Sequence, residues 1–241
     1  MIVVSIQIHV HCVALGRRDP HTAAMTAFDR HLDLGCGEFP RNPYDRPLVC
    51  GIDIRALGCT PGFEYRAANL VLEPIPYADA HFASVSAYNF IEHIPRVMVE
   101  ADRSATTFPF IRLMQEIWRV LEPGGRFYAV TPAFPHPEAF ADPTHVNIIT
   151  DTTHEYFCGE RPLGHMYGFQ GRFEVLRIEW THFADACGSL SEAAGSRRRP
   201  TAIKRLAHGI RGLLRQARGK PAAGRMGFLV WELQAIKPPG G

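Results

Sequence analysis

The chain has 241 residues, of which 46% are hydrophobic and 21% are charged, and its formal net charge is +2. This length and balance predict a soluble globular protein, with one sizeable domain favoured over two small ones. No apolar run approaches the roughly 18 residues that a membrane-spanning helix needs. The six cysteines are scattered without a CxxC pair, which argues against a disulfide framework and for reduced thiols in the cytoplasm.

The first 25 residues are predicted to be an N-terminal extension or leader. Their apolar start lacks a basic region and is broken by Ser, Gln and His, so it does not resemble a signal peptide. Two interpretations stay open: an extra edge strand, or a non-native leader, since a start at Met25 leaves every later motif intact. Residues 26–241 are expected to form a single domain.

From residue 31 onward, apolar runs alternate with a helical pattern, which is typical of a parallel α/β sheet. Strands are predicted over residues 31–34, 48–54, 64–70, 82–89, 126–131, 173–183 and 227–236. A helix is predicted over 106–121, because its apolar residues recur at i, i+3, i+4 and i+7. Pro109 suits its first turn, and the EPGG sequence that follows suits its end.

A short glycine loop, DLGCG at residues 33–37, directly follows the first predicted strand. Gly35 and Gly37 have no Cβ, so a ligand can approach the backbone closely there. Asp53 comes 20 residues after Asp33, at the end of the second predicted strand. A carboxylate at that place can accept hydrogen bonds from both hydroxyls of a ribose. The pattern indicates a nucleoside-containing cofactor, with a plain tight turn as the alternative.

The residues after the loop separate two such cofactors. NAD-binding folds usually continue as GxGxxG into a helix whose N-terminus binds the pyrophosphate. Here Phe39 and Pro40 stand at the third glycine position, and three prolines within residues 38–47 leave little room for a helix. S-adenosylmethionine contains no phosphate and needs no such helix. The sequence therefore favours S-adenosylmethionine.

Four stretches, in this order, resemble the class I S-adenosylmethionine-dependent methyltransferases. They are DLGCG (33–37), GIDI (51–54), EPIPYADAHFASVSAYNFIEHIP (73–95) and EIWRVLEPGGRFYAVTP (116–132). DPTHVN (142–147) is also similar to a segment of an uncharacterised bacterial subgroup. The resemblance implies a Rossmann-like seven-stranded, mostly parallel sheet with helices on both faces and an antiparallel last strand.

The same resemblance implies a set of cofactor-binding residues: Asp33, Gly35, Cys36, Gly37, Asp53, Ile54, Asn69, Leu70 and Asn89. In that set the glycine loop lines the methionine part, and Asp53 holds the ribose with Ile54 against the adenine. Asn69 stands where the family often has an Asp. Asn89 is expected to face the methyl-donor end.

The stretch HPEAFADPTHVNIIT (136–150) follows the strand predicted over 126–131, at the same edge of the sheet. We predict His145 as the general base for an acceptor hydroxyl, with Asp142 and His93 as helpers. A plain Asx turn at DPTH, and a packed His93, are the alternatives. No metal site is predicted, since the spacings of His136, His145, His154 and Cys158 match no familiar zinc pattern.

Residues 191–225 contain ten Lys or Arg and one acidic residue. Within them, residues 196–220 show apolar residues at helical spacing, which predicts a basic amphipathic helix inside an insertion at about 184–225. It could dock on its own domain, lie peripherally at the inner face of the membrane, or contact RNA.

The sequence thus predicts an S-adenosylmethionine-dependent methyltransferase that acts on an oxygen of a small-molecule or glycan-like acceptor. Methylation of a nitrogen or of RNA is the alternative activity. A catalytically inactive subunit that binds the cofactor or a partner is the alternative without activity.

Overall fold

A computed structural model describes residues 29–56, 62–102, 104–188, 190 and 226–238. The predicted N-terminal extension (1–25) and the predicted basic helix (196–220) lie outside the described residues. No helix among the described residues is both long enough and apolar enough to cross a membrane.

The described residues form strands, two α-helices and several short 3-10 turns. The strands are β1 (Arg30–Leu34), β2 (Leu48–Asp53), β3 (Glu64–Ala67), β4 (Phe82–Tyr88), β5 (Met98–Val99), β6 (Thr106–Thr107), β7 (Leu121–Pro132), β8 (Phe173–Thr181) and β9 (Phe228–Ala235). The α-helices are α1 (Pro109–Val120) and α2 (Phe183–Ala186). The 3-10 turns are Ile91–His93, Pro137–Phe140, Thr153–Phe157 and Leu163–Tyr167.

The main sheet has seven strands in the order β3-β2-β1-β4-β7-β9-β8, and β5 pairs with β6 in a separate ribbon. Strand β9 runs antiparallel to both of its neighbours, whereas the other pairings in the main sheet are parallel. This confirms the predicted seven-stranded, mostly parallel sheet with an antiparallel last strand. The chain direction across the sheet reverses between β1 and β4, and ligands of open α/β sheets bind outside the carboxyl ends of the strands at such a point.

Each predicted strand is present, and three predicted boundaries differ by more than two residues, for local reasons. The third strand ends at Ala67 rather than at residue 70, because the side-chain oxygen of Asn69 accepts the Val71 N–H at 3.1 Å and turns the chain. The predicted helix begins at Pro109 rather than at 106, because residues 106–107 pair with β5 instead. Strand β7 begins directly after α1, so that EPGG lies within an irregular start of the strand.

Helix α1 covers one face of the sheet with the apolar stripe that the sequence predicts. Its buried residues are Pro109, Phe110, Leu113, Met114, Ile117 and Val120. Each fully buried side chain of this size contributes roughly 1.5–3 kcal/mol to folding. They join a core that includes Leu32, Ile52, Val85 and Phe127 from the central strands.

The opposite face of the sheet is covered differently. Residues 38–47 form no helix, as their three prolines predict, and the Tyr44 ring packs edge-on against Tyr128 with centroids 6.4 Å apart. The Tyr44 hydroxyl donates a hydrogen bond to Glu232 on β9 at 3.1 Å. The short helix α2 contributes Ala186 and Phe183 to the same cluster. A loop therefore lies where a β-α-β connection would ordinarily place a helix.

Candidate functional site

The glycine loop lies at the carboxyl end of β1, next to the reversal point of the sheet. Gly35 and Gly37 have φ angles of 66° and 61°, a conformation that side chains with a Cβ rarely adopt. A Cβ on Gly35 would lie 2.6 Å from the Phe90 ring, so this position has no room for one. The predicted tight loop is therefore required both by its backbone angles and by its packing.

Asp53, at the end of β2, contacts the glycine loop directly. The Gly37 N–H donates to its Oδ2 at 2.9 Å, while the N–H and Nε of Arg55 donate to Oδ1 at 3.1 and 2.9 Å. Partial burial by itself raises the pKa of this carboxyl, but the hydrogen bonds from Arg55 and Gly37 outweigh it and lower the pKa. The group is therefore ionised at neutral pH and can accept hydrogen bonds.

The Arg55 guanidinium occupies the same carboxylate that a ribose would need. Its side chain is 56% exposed, whereas that of Asp53 is 10% exposed. The ion pair is weakened on the Arg55 side, because water solvates and screens the exposed guanidinium. A diol could therefore replace the guanidinium while the Gly37 N–H keeps the carboxylate in place.

Asp33 is buried beneath the loop, and both of its oxygens contact the protein. Ser86 Oγ donates to Oδ1 at 2.5 Å, and the Arg41 N–H donates to Oδ2 at 2.8 Å. Burial raises the pKa of this carboxyl to about 7. Asp33 thus ties the proline-rich segment, through Arg41, to the strands below it.

His31 extends this buried polar group, and the sequence reading missed it. Its Nε2 lies 2.9 Å from Ser86 Oγ, and its Nδ1 lies 2.8 Å from Ser84 Oγ. Because Ser86 donates its own proton to Asp33, Nε2 must donate to Ser86. Burial lowers the pKa of His31 to about 3, so the ring is neutral. The alternation of polar and apolar residues in HLDL and SVSA could have indicated a shared row of polar side chains on these two strands.

The other predicted cofactor residues follow the neighbouring strands. Ile54 is exposed and Leu70 is buried, while the Asn69 side chain serves the turn after β3. Cys36 is buried, and burial raises the pKa of its thiol to about 12, so it is a packing residue and not a nucleophile. Asn89 has a φ of 48° and an exposed side chain at the end of β4.

Two segments meet beside this loop, one following β4 and one following β7. Asn147 joins them: its N–H donates to the Glu92 carbonyl at 2.9 Å, and its Nδ2 donates to the Ile91 carbonyl at 3.1 Å. Its Oδ1 accepts from Arg96 Nε at 2.6 Å. Asn147 is 2% exposed, so the DPTHVN segment is held against the turn after β4 by a buried amide.

Asp142 makes local contacts within the DPTH turn. Its Oδ1 accepts the N–H and the Oγ1–H of Thr144 at 2.8 and 2.7 Å, so the Asx turn is present. Thr144 Oγ1 lies 2.9 Å from Nδ1 of His93. A chain of contacts therefore runs from Asp142 through Thr144 to His93, because the turn brings Thr144 to the carboxylate.

His145 and His93 face each other, with ring centroids 4.8 Å apart. Nδ1 of His145 lies 3.3 Å from the Ala139 carbonyl, which can only accept, so Nδ1 carries the proton. Burial and the proximity of His145 lower the pKa of His93. The structure therefore brings together the two predicted histidines, each with its Nδ1 turned toward a protein partner.

Glu92 is a further member of this group that the sequence reading did not assign to the site. It is 1% exposed, its Oε2 accepts from Thr131 Oγ1 at 2.9 Å, and its Oε1 has no hydrogen-bond partner among the described residues. Burial raises the pKa of this carboxyl to about 7. One ligand-capable atom from each of Glu92, His93 and His145 lies within 4.8 Å of the others.

The remaining residues weighed for a metal site have other surroundings. Nδ1 of His136 accepts the Glu138 N–H at 3.2 Å and caps a 3-10 turn. The His154 ring packs edge-on against Trp231. Of the four residues weighed, only His145 belongs to a cluster of metal-capable side chains in the described part of the chain.

A groove also lies at the opposite edge of the sheet, near the amino ends of β1, β3 and β4. Its charged and aromatic lining residues are Arg30, Glu64, Arg66, Tyr77, His81 and Arg119. Arg66 pairs with Glu64 at 2.8 Å, and Arg119 pairs with Glu116 at 2.7 Å, so these charges are matched within the protein. Since ligands of open α/β sheets bind at the carboxyl ends of the strands, the glycine-loop edge is the candidate site.

No protein-family model matches the sequence, and no curated protein matches it either. A SAM dependent methyltransferase from Archaeoglobus fulgidus is similar in structure, at 15% identity and a TM-score of 0.48, over 87% of each chain. The cyclase SpnF is 18% identical with a TM-score of 0.47, over 89% of this chain and 77% of that one. The YcgJ protein of Bacillus subtilis is 15% identical with a TM-score of 0.45, over 91% and 96%. At these values the similarities carry no conclusion about activity, which has to be inferred from this chain's own residues.

Proposed function

We propose that the protein transfers a methyl group from S-adenosylmethionine to a hydroxyl oxygen of a small-molecule or glycan-like acceptor. One observation carries the choice of cofactor. The glycine loop is hydrogen-bonded to an ionised carboxylate at the end of the next strand, and no helix follows the loop. This arrangement suits a nucleoside that carries no phosphate, and it offers a pyrophosphate no helix N-terminus.

The cofactor would lie across the carboxyl ends of β1, β2 and β4. Its methionine part would contact the backbone of Gly35 and Gly37, where the missing Cβ atoms allow close approach. Asp53 would accept hydrogen bonds from the ribose once Arg55 has moved into solvent, and the exposed Ile54 would cover the adenine. Asn89 would stand nearest to the sulfonium end.

Methyl transfer is a displacement at carbon, in which the O–C bond forms as the C–S bond breaks. The protein has to align the acceptor oxygen with the C–S bond, and such positioning supplies much of the rate enhancement. A hydroxyl acceptor must also lose its proton, and neutral imidazoles suit that step near neutral pH. His93 and His145 form a pair of imidazoles at this edge, and we assign the activation of the acceptor hydroxyl to this pair.

A labelled-methyl assay tests the acceptor class. Full-length protein is incubated with methyl-labelled S-adenosylmethionine and matched panels of alcohols, phenols, sugars, amines and RNA. We expect label in a hydroxyl-bearing acceptor, and we expect His93→Ala and His145→Ala to reduce its incorporation by roughly 100-fold or more, the usual contribution of acid–base catalysis. His182→Ala is the control, because His182 is exposed and lies outside the site. Label only in amines or RNA, at a rate indifferent to both histidines, would contradict the proposal.

A further inference from the structure

Glu92, His93 and His145 form a cluster that includes a buried oxygen without a partner. Each of the three offers a ligand-capable atom within 4.8 Å of the others. Among the described residues, Glu92 Oε1 has no hydrogen-bond partner, although the residue is only 1% exposed. A buried polar atom without a partner destabilises the folded protein, and more so when the group is charged. The arrangement therefore calls for something that binds this oxygen.

The neighbours of the two imidazoles fix which nitrogens remain available. Thr144 donates its hydroxyl proton to Asp142, so its oxygen accepts from Nδ1 of His93. The Ala139 carbonyl accepts from Nδ1 of His145 in the same way. Both Nε2 atoms are left with a lone pair. Histidines that bind metal ions ordinarily donate their second N–H to a carboxylate, a carbonyl or a hydrogen-bonded partner of this kind.

From this geometry we propose that Glu92, His93 and His145 bind a divalent transition-metal cation such as zinc, iron(II) or manganese. Two imidazoles and one carboxylate are the donor atoms that such ions accept, whereas magnesium and calcium prefer oxygen donors alone. Three protein ligands would leave further coordination positions open for water or an acceptor.

The spacing requires only a small closure of the cluster. Ligand atoms about 2.0–2.1 Å from a tetrahedral ion stand roughly 3.3 Å apart. The atoms of this cluster lie within 4.8 Å of one another, so the side chains must move inward by an ångström or so. His145 can do this readily, because it is half-buried and its hydrogen bond to Ala139 is long at 3.3 Å.

The use of the cation rests on the proposed function, whereas its binding does not. An acceptor hydroxyl bound at an open position would lose its proton to water more easily, because a bound divalent cation lowers the pKa of an oxygen ligand. The resulting oxygen would then attack the methyl carbon as the C–S bond breaks. The two imidazoles would act through the cation and would not themselves take the proton.

Calorimetry with zinc and manganese salts tests the site on full-length protein that has been stripped with a chelator. We expect one equivalent to bind, and we expect Glu92→Gln, His93→Ala and His145→Ala each to weaken binding at least 10-fold. Thr144→Val should weaken it as well, by roughly 10- to 100-fold, since it removes the partner that orients His93. His182→Ala controls for adventitious binding by an exposed imidazole and should bind as the wild type does.

Cobalt(II) absorption provides a second readout, which needs no variant. Visible d–d bands of intensity typical of low-coordinate N/O ligation would support the site. The absence of any bound metal, or binding that is unchanged in all three ligand variants, would overturn it. Adenosylhomocysteine binding is measured separately on the metal-free protein, so a failure of the metal site and a failure of the proposed function give different results. Full methyl transfer by chelator-treated protein would overturn the role in acceptor activation.

Discussion

The candidate site at the glycine-loop edge of the sheet has two sides, which are built from different chemical groups. The cofactor side consists of backbone at Gly35 and Gly37 and one carboxylate that already has partners. The acceptor side consists of side chains from two distant segments, with lone pairs directed away from their protein partners. Backbone recognition is fixed by local conformation, whereas convergent side chains depend on how the segments after β4 and β7 pack together. Substitutions on the first side should therefore strongly reduce stability or cofactor affinity. Substitutions on the second side should leave cofactor affinity unchanged.

The largest expected effect is that of Gly35→Ala. An alanine at this position must adopt a φ of 66°, and its Cβ would lie 2.6 Å from the Phe90 ring. Backbone strain and overpacking together are expected to cost about 2–4 kcal/mol of unfolding free energy. Urea denaturation measures this effect, and adenosylhomocysteine affinity should fall in the fraction that still folds. Gly188→Ala is the control, because no atom in the described part of the chain lies within 4 Å of its added Cβ. Equal stability of the two variants would contradict the packing described for the loop.

Asp53→Ala tests the one carboxylate on the cofactor side. Losing a charge-assisted hydrogen bond to the ribose should weaken cofactor binding by about 1–3 kcal/mol, or roughly 5- to 150-fold. Asp79→Ala is the control, since Asp79 is an exposed carboxylate that pairs with Arg119 away from the candidate site. Calorimetry that finds the same affinity for Asp53→Ala and the wild type would remove the ribose assignment.

The buried Asp33 predicts a pH effect on stability. Burial raises its pKa to about 7 in the folded protein, above its ordinary value in the unfolded chain. The folded state therefore binds the proton more tightly, and this contribution to stability is complete in acid and is lost as the pH rises toward 7. The amide side chain that Asp33→Asn introduces cannot titrate. The unfolding free energy of this variant should therefore rise relative to that of the wild type between pH 4 and pH 8. Parallel pH profiles would mean that folding does not raise the pKa of Asp33.

Arg55→Ala should have a smaller effect, of opposite sign to that of Asp53→Ala. The guanidinium competes with the ribose for Asp53, but it is largely exposed, so the competition is weak. We expect cofactor affinity to rise by a few-fold or less. A large loss of affinity would show that Arg55 binds the cofactor directly instead of yielding its place.

The smallest expected effect on cofactor affinity is that of a substitution on the other side of the candidate site. His145→Ala should leave adenosylhomocysteine affinity within about twofold of the wild type, because the contacts described for its ring are with Ala139 and His93 and not with the glycine loop. Parallel calorimetry of this variant and Asp53→Ala makes the comparison. A loss of affinity as large as that of Asp53→Ala would mean that the two sides do not act separately.

The conformation of the glycine loop and of the segment after it could be predicted from the sequence, because their determinants are local. The glycine spacing, the Asp at the end of the second strand and the three prolines after the loop each act within a few residues. The helix-free segment over 38–47 and the contact between Gly37 and Asp53 are both present in the structure.

The contacts on the proposed acceptor side were predicted only in part. Asp142 and Thr144 form a local turn, which the sequence allowed, but the turn serves His93, which is about 50 residues away in the chain. Glu92 was not assigned to the site, since nothing in the sequence shows that one of its oxygens is buried without a partner among the described residues. Such facts follow from long-range packing, which a single sequence does not display.

The central claim concerns the cofactor, and one measurement tests it most directly. Full-length protein is titrated in a calorimeter with adenosylhomocysteine and, separately, with NAD. We predict saturable one-to-one binding of adenosylhomocysteine that Asp53→Ala weakens, and no binding of NAD under the same conditions. Binding of NAD without binding of adenosylhomocysteine would contradict the account.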